Sequence, residues 1–300
     1  MTFTGIALPP LVNYDSPREL RAFLDARGLG TRKKHGQNFL INPAIRSRLL
    51  DALELQPGDN VWEIGPGLGA MTVGLLERGA RVTAFEIDPA FVQALREFFA
   101  SNPAFSLVEG DALKTWPAVS AIAEGEMFLF GNLPYNIAAA LLADFIEKGR
   151  FFPRVVVTVQ REVAQRMAAG PGSADYSSFS VLLSSVYKVT PLSVIKPPAF
   201  YPAPRVDSQG VRLDLLPRRV LPRLFYPLVR GLFSSRRKTI KNTLSTFASS
   251  VIINNPAAGC GPQAAEVLAR AGVCPNRRPE TLCIDEFAAL AAFLEEVATQ

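Results

Sequence analysis

The 300-residue sequence has one histidine and three cysteines, so the side chains that most often bind zinc are scarce. The cysteines, Cys260, Cys274 and Cys283, are odd in number and lack C-x-x-C spacing. The chain also has no run of about 18 apolar residues, the length that a transmembrane helix needs. We therefore expect no metal site and no membrane partner, and a reducing cytoplasm as the location.

The N-terminus lacks the features of a secretory signal. It has no basic start and contains Pro9-Pro10, so we expect no cleaved leader. Ser16 and Glu19 match a capping box and predict a short helix, whereas residues 1–15 show little pattern. We treat residues 1–30 as an N-terminal extension whose role the sequence leaves open.

The net charge of +5 is concentrated in one segment, 205–241. Ten basic residues stand there against Asp207 and Asp214, which gives the segment +8 and leaves −3 for the rest. Such a concentration indicates a polyanionic partner, although a solvated helix face is the alternative. The residues in this segment that are predicted to bind the polyanion are Arg223, Arg230, Arg236, Arg237, Lys238 and Lys241.

After Leu216 the apolar pattern becomes helical, and we place a domain boundary there. The segment 222–244 is predicted to form one helix, with Pro227 causing a kink or a later start. On that helix Arg223, Arg230, Arg237 and Lys241 would form a basic stripe. The apolar positions that keep helical spacing are Phe225, Leu228, Leu232, Ile240 and Leu244.

The middle of the chain alternates short apolar strands with helices, which predicts an α/β fold with a parallel sheet. The carboxyl ends of parallel strands share one edge of the sheet, where such proteins bind ligands. The groups that follow four successive strands are therefore expected to line one site. They are the glycine loop 65–69, Glu86, Asp111 and Asn132.

The glycine loop lies between a predicted strand and a predicted helix, the arrangement typical of a nucleotide site. Its G-x-G-x-G spacing differs from the G-x-G-x-x-G of NAD(P) enzymes. Glu86 follows the next strand, 21 residues after Gly65, where an acid typically binds ribose hydroxyls. Asp111 would either accept from an adenine amine or be an ordinary loop residue, whereas Asp88 is better explained as a helix cap.

An apolar strand at 128–131 leads into Asn132-Leu133-Pro134-Tyr135. An amide beside a rigid Pro-Tyr offers an acceptor and a flat face, which suit a planar ring with an exocyclic amine. A simple turn is the alternative, since Asn and Pro are common turn residues. Phe200 lies in a proline-rich loop, 197–208, and would either press against a flipped base or pack that connector.

Seven motifs in order closely resemble the ribosomal RNA adenine N6-dimethyltransferase family, over roughly residues 30–290. The leucine at position 133 resembles the branch that acts on small-subunit rRNA. DNA adenine methyltransferases usually have Pro at this position, and macrolide-resistance enzymes more often have Ile. The motifs are 36–40, 63–69, 85–88, 110–112, 132–136, 200–208 and 236–239.

The resemblance implies a Rossmann-like methyltransferase domain at 31–216 and a small, helical, basic RNA-binding domain at 217–300. It also implies S-adenosylmethionine as the cofactor, with no metal. The implied cofactor-binding residues are Asn38, Leu40, Gly65, Gly67, Glu86, Asp111 and Asn132. The implied catalytic residues are Asn132, Leu133, Pro134, Tyr135 and Phe200.

In that family the acceptors are two adjacent adenosines in a hairpin near the 3′ end of 16S rRNA, each dimethylated at N6. The expected partner is an immature 30S particle, and the enzyme is expected to be a monomer. One alternative is a 23S rRNA dimethyltransferase of the macrolide-resistance type. Another is an assembly factor whose RNA binding outweighs its catalysis. A small-molecule methyltransferase would leave the basic segment unexplained.

Overall fold

The structure is a computed structural model that describes residues 12–29, 38–133, 135–253 and 264–299. Within these ranges the helices are α1 (Pro17–Ala26), α2 (Pro43–Asp51), α3 (Ala70–Glu77), α4 (Pro89–Phe99), α5 (Ala112–Ile122), α6 (Tyr135–Glu147), α7 (Arg161–Ala168), α8 (Ser178–Ser184), α9 (Phe225–Phe233), α10 (Ile240–Ile253), α11 (Ala264–Arg270) and α12 (Ile284–Thr299). The strands are β1 (Phe39–Leu40), β2 (Asn60–Ile64), β3 (Arg81–Glu86), β4 (Phe105–Glu109), β5 (Met127–Asn132), β6 (Arg154–Gln160), β7 (Tyr187–Ile195), β8 (Phe200–Tyr201) and β9 (Ser208–Leu215).

Seven of the strands form one sheet in the order β4-β3-β2-β5-β6-β9-β7. The first five run parallel, and β9 pairs antiparallel with β6. The central strands are short apolar runs buried on both faces, as in parallel sheets covered by helices. The predicted α/β fold is therefore confirmed. No helix within the described ranges is both long and apolar enough to span a bilayer.

Aspartate side chains cap two of the helices that follow strands of the sheet. Asp88 accepts from the amide of Ala90 and begins α4, so the role predicted for Asp88 is confirmed. Asp111 accepts from the amide of Leu113 and begins α5, a helix that the sequence analysis did not predict. Both caps fix their loops directly after a strand end.

The contacts divide the chain into two compact units. The sheet unit contains residues 1–164 and 189–215, and the helical unit contains 165–188 and 216–300. The chain passes from the sheet unit to the helical unit between Leu215 and Leu216, one residue before the expected boundary. The segment 165–188, which contains α8, was assigned to the catalytic domain by sequence but belongs to the helical unit by its contacts.

The helical unit has a core of its own. The five apolar positions with helical spacing in 222–244 are all 0% exposed, and the core also contains Tyr176 and Phe287. The Tyr176 hydroxyl donates to the Leu282 carbonyl at 3.2 Å, which ties the segment 165–188 to the last helices of the chain. This unit is therefore built from two separate stretches of sequence.

The prediction of a single helix over 222–244 is wrong. The segment forms α9 and α10 with a break at 234–239, so Arg223, Arg230, Arg237 and Lys241 do not share one continuous helix. Arg223 precedes α9, and Arg237 lies in the break. Pro227 occurs in the first turn of α9, where its missing amide hydrogen costs no helical bond.

Residues 12–29 of the N-terminal extension are folded. Ser16 caps α1 as predicted, and Leu20 and Leu24 are buried in an apolar cluster formed with residues of α4. Residues 1–15 show little sequence pattern, yet Val12 is 6% exposed in the same cluster. Residues 1–11 lie outside the described residues.

Replacing Leu20 with alanine tests whether α1 is part of the sheet unit. Leu20 is 0% exposed, so Leu20→Ala should lower the free energy of unfolding by ~2–5 kcal/mol through lost burial and a cavity. Arg18→Ala, at an exposed position of the same helix, should change it little. Urea unfolding measures both, and equal stabilities for the two variants would show that α1 is not docked.

Candidate active site

A cavity opens at the carboxyl edge of the parallel sheet, where the loops after β2, β3, β4 and β5 meet. Strand β1 and Phe200 complete its wall. The structure brings together all seven residues predicted to bind the cofactor, namely Asn38, Leu40, Gly65, Gly67, Glu86, Asp111 and Asn132. Residues from five separate parts of the sequence thus face one space.

The glycine loop turns sharply between β2 and α3. Gly65, Gly67 and Gly69 have φ angles of 70°, 59° and 86°, a region that other residues adopt only with strain. A Cβ on Gly67 would also lie 3.1 Å from the Phe39 ring. The turn therefore needs glycine both for its backbone and for the close approach of β1.

Glu86 is the buried acid at the end of β3, with only 5% of its surface exposed. Its carboxylate accepts from the amide of Asp88 at 2.8 Å and from the amide of Gly67 at 3.1 Å. Burial raises the pKa of Glu86 to about 7, although these backbone donors oppose the shift. The two amides fix the carboxylate and link it to the glycine loop.

Glu63 also lines the cavity, and the sequence analysis did not single it out. It is 2% exposed on β2 and accepts from the Thr72 hydroxyl at 2.6 Å. Burial, with a smaller contribution from the nearby Glu86, raises the pKa of Glu63 to about 8. A carboxyl group inside an otherwise apolar strand was the signal in the sequence.

Asn132 ends β5, and its side-chain amide nitrogen donates to the backbone carbonyl of Asn38 at 3.0 Å. A carbonyl oxygen can only accept, so the contact fixes which end of the amide is the nitrogen. The Asn132 Oδ1 is therefore oriented as an acceptor by a residue 94 positions earlier in the chain. Both residues line the cavity.

The backbone after Asn132 is held by β6. The Leu133 amide donates to the Thr158 carbonyl at 3.2 Å, and the Leu133 side chain is buried. A Cβ on Gly131 would meet that side chain at 2.6 Å, so glycine is needed directly before Asn132. Pro134 and the side chain of Tyr135 lie outside the described residues, so their predicted roles stay predictions.

Phe200 lines the cavity with only 4% of its surface exposed. It pairs with Leu40 in a two-stranded antiparallel ladder, β1–β8, that the sequence analysis did not predict. The Ile41 amide extends this pairing to the Ala199 carbonyl at 2.8 Å. The ladder holds the proline-rich loop against the segment that carries Asn38.

Several apolar residues that the sequence analysis did not single out line the same cavity, among them Phe39, Ile87 and Phe91. Phe39 and Phe91 meet edge to face with ring centroids 5.8 Å apart. Ile87, next to Glu86, is 47% exposed although it is a large apolar residue. The position of an isoleucine between two acids at a strand end was the available signal for Ile87.

The lining fits S-adenosylmethionine by its chemistry. Glycines without side chains line one wall, a buried carboxylate ends β3, and Asp111 follows the end of β4. Apolar and aromatic surfaces lie between these groups, as a nucleoside requires. No group of three potential metal ligands occurs among the described residues.

The six predicted RNA-binding residues all lie in the helical unit and are all exposed. Arg236 donates to the Ala174 carbonyl at 2.8 Å, which fixes part of the turn between α9 and α10. Another member of the basic segment has acidic partners, since Arg212 pairs with Glu54 and Asp214 in the sheet unit. The excess charge available to a ligand is therefore smaller than the sequence count of +8.

The raised carboxyl pKa values predict that stability falls as pH rises. The unfolded chain releases these protons near the ordinary value of 4.5, whereas the folded chain retains them to about 7 at Glu86 and about 8 at Glu63. The folded state therefore binds more protons in that window, and its advantage is lost as pH rises through the folded values. Glu63→Gln keeps an acceptor for Thr72 and should make the unfolding temperature less dependent on pH.

Thermal unfolding followed by circular dichroism between about pH 5 and pH 8 measures this difference. Glu77→Gln, at an exposed position of α3, is the control and should keep the pH dependence of the unaltered protein. Identical profiles for Glu63→Gln and the unaltered protein would contradict the assignment of a buried, neutral carboxyl.

Known proteins resemble this chain over most of its length. Residues 28–256 match a family model described as ribosomal RNA adenine dimethylase. A "Ribosomal RNA small subunit methyltransferase A" from Treponema denticola is 43% identical over 294 residues, which cover 96% of this chain and 97% of that protein. The protein of the same name from Geobacter metallireducens is 39% identical over 270 residues, covering 88% and 95%.

Among solved structures, a dimethyladenosine transferase from Plasmodium falciparum superposes with a TM-score of 0.72 at 25% identity, covering 85% of this chain and 97% of that one. The 23S rRNA methyltransferase ErmE superposes with a TM-score of 0.61 at 24% identity, covering 85% and 99%, and shows a shared fold. The match to the family model covers most of the chain and includes the glycine loop, Asn132 and part of the helical unit. The chain is a methyltransferase that belongs to the ribosomal RNA adenine dimethylase family.

Proposed function

We propose that this enzyme transfers methyl groups from S-adenosylmethionine to N6 of two adjacent adenosines near the 3′ end of 16S rRNA. The observation that carries the proposal is the orientation of Asn132. Its Nδ2 is bound to the Asn38 carbonyl, so its Oδ1 is presented as an acceptor at the edge of the cavity. Adenine offers an exocyclic amine to such an acceptor.

The residues around the cavity would hold the cofactor by its three parts. Glu86 would accept from the ribose hydroxyls and Asp111 from the adenine amine, and the glycine loop would hold the methionine end. The second oxygen of Asp111 serves the ligand, because Oδ1 already caps α5. When bound, S-adenosylmethionine supplies a methyl group on a positively charged sulfur. The sulfur is a good leaving group because it departs as a neutral thioether.

Catalysis then depends on making the acceptor amine a better nucleophile. The amine nitrogen of adenine is a weak nucleophile, because its lone pair is delocalised into the ring. Asn132 Oδ1 and the Leu133 carbonyl each accept a hydrogen bond from one of the two N–H groups of the amine. These bonds make the nitrogen more tetrahedral and direct its lone pair toward the methyl group. Positioning and electrostatics supply most of the rate increase, and no strong base is required.

The second methylation uses an amine that has a single N–H left. One acceptor then suffices, and the space of the other must admit a methyl group. Phe200 forms a wall of the cavity, and in the proposal it faces the flipped base together with Tyr135. Each base is therefore methylated twice in the same site.

The names of the curated relatives support the small ribosomal subunit as the source of the acceptor RNA. The 23S alternative has the likeness to ErmE in its favour, but that likeness shows the fold alone. Leu133, which resembles the small-subunit branch, favours 16S rRNA. An immature 30S particle as partner, a monomeric state and a cytoplasmic location stay predictions.

Asn132→Ala tests the catalytic role. Loss of one preorganised acceptor should reduce methyl transfer about a hundredfold or more, while binding of S-adenosylhomocysteine changes only a few-fold. Asn102→Ala is the matched control, because Asn102 lies before β4 and does not line the cavity. Normal transfer by Asn132→Ala would remove the basis of the mechanism.

Transfer of labelled methyl groups to small subunits that lack the modification, mapped by mass spectrometry, tests the acceptor. Dimethyladenosine at two adjacent positions near the 3′ end is the expected product. Label in large-subunit RNA would favour the 23S alternative. Binding of cofactor and subunits without any label would favour the assembly-factor alternative.

The basic turn between α9 and α10 is the proposed binding site for RNA phosphates. Arg237→Ala/Lys238→Ala should weaken binding and lower the slope of log affinity against log salt by about one for each phosphate-binding side chain removed. Arg18→Ala/Arg81→Ala removes the same charge from exposed positions of the sheet unit and should leave that slope unchanged. Filter binding across a salt series measures both, and equal slopes would contradict a role for this turn in binding phosphates.

A further inference from the structure

The N-terminal segment contacts the glycine loop directly and reaches strand β1 through Arg46. The Tyr14 hydroxyl donates to the Leu68 carbonyl of the glycine loop at 2.8 Å. Asp15 forms an ion pair with Arg46, and Arg46 Nη1 donates to the Leu40 carbonyl at 2.9 Å. Leu40 lines the cavity, whereas Tyr14 and Asp15 do not. Tyr14 is therefore bonded to the glycine loop, and its neighbour Asp15 is linked to Leu40 through Arg46.

The segment has its own anchor on the sheet unit. Leu20 and Leu24 of α1 are buried in the cluster formed with α4. At the end of α1, Arg27 pairs with Glu97 of α4 at 2.6 Å and lies over the Phe98 ring. Tyr14 and Asp15 thus directly precede a helix that is docked on the sheet unit.

The Tyr14 contact acts on the part of the loop that orients Glu86. Leu68 follows Gly67, whose amide donates to the Glu86 carboxylate at 3.1 Å. A loop that contains three glycines has few conformational restraints of its own, so bonds from outside determine its shape. Holding the Leu68 carbonyl therefore restricts the Gly67 amide, and with it the acid assigned to the ribose.

The hydroxyl of Tyr14 can donate to the Leu68 carbonyl over the whole physiological pH range. Burial, with a smaller contribution from the charge of Glu63, raises the pKa of Tyr14 well above its ordinary value of 10. Arg46 opposes the shift but does not reverse it. The phenol consequently stays protonated and remains a donor to Leu68.

We propose that Tyr14 and Asp15 are positioning residues for S-adenosylmethionine, and that residues 12–29 form a functional part of the cofactor site. They hold the glycine loop and the Leu40 segment in the arrangement that binds the cofactor. This inference depends on the proposed assignment of the cavity to S-adenosylmethionine. It gives the N-terminal extension a role that the sequence analysis left open.

Tyr14→Phe removes one hydroxyl and keeps the ring. Loss of one hydrogen bond to the loop should weaken S-adenosylmethionine binding about two- to tenfold, as measured by calorimetry on the full chain. The KM for S-adenosylmethionine should rise in the same proportion, with kcat at saturating cofactor and the KM for RNA unchanged. Asp15→Asn, which breaks the ion pair with Arg46, should act in the same direction.

Glu97→Ala is the matched control, because it removes the exposed ion pair with Arg27 while Leu20 and Leu24 keep α1 docked and the glycine loop is untouched. It should leave cofactor affinity at the level of the unaltered protein. Unchanged affinity in Tyr14→Phe would overturn the proposal, and so would an equal loss in Glu97→Ala. If the unaltered protein bound neither S-adenosylmethionine nor S-adenosylhomocysteine, the cofactor assignment itself would fail, and this inference with it.

Discussion

The parallel alignment of β4, β3, β2 and β5 is the constraint on which the site depends. Parallel strands bring their carboxyl ends to one edge, so residues far apart in sequence meet there without any direct attraction between them. The edge is also where strand hydrogen bonding stops and backbone groups become available. In this protein two such groups, the Gly67 amide and the Asn38 carbonyl, orient the side chains of Glu86 and Asn132.

The parts of the site that follow a strand could be predicted from the sequence, because each is fixed locally. A buried strand followed by a glycine, an acid or an amide places that group at the edge whatever the rest of the chain does. The seven predicted cofactor residues line one cavity for this reason. Glu63 was missed because it lies within a strand, and Ile87 because an apolar residue beside two acids gives a weak signal.

The parts that the sequence analysis missed depend on pairing over long distances. Phe39 and Tyr201 are partners in β1–β8 although 162 positions separate them, and a strand of two residues has no recognisable period. Tyr14 and Leu68 meet only because α1 docks on α4. The sequence did not reveal the helix break at 234–239, because helical apolar spacing continues on either side of it. The buried positions were therefore predicted correctly, but the prediction of one continuous helix was wrong.

The helical unit is assembled from two stretches of chain, and this limits how the protein can be divided. A fragment that ends at Leu216 would retain Tyr176 and Val181, which are 1% and 0% exposed in the core of that unit, without the helices that cover them. A fragment that begins there would lack both residues. Exchange of this unit between related enzymes therefore requires both stretches to be transplanted together, and a single cut in the chain cannot separate its evolution from that of the sheet unit.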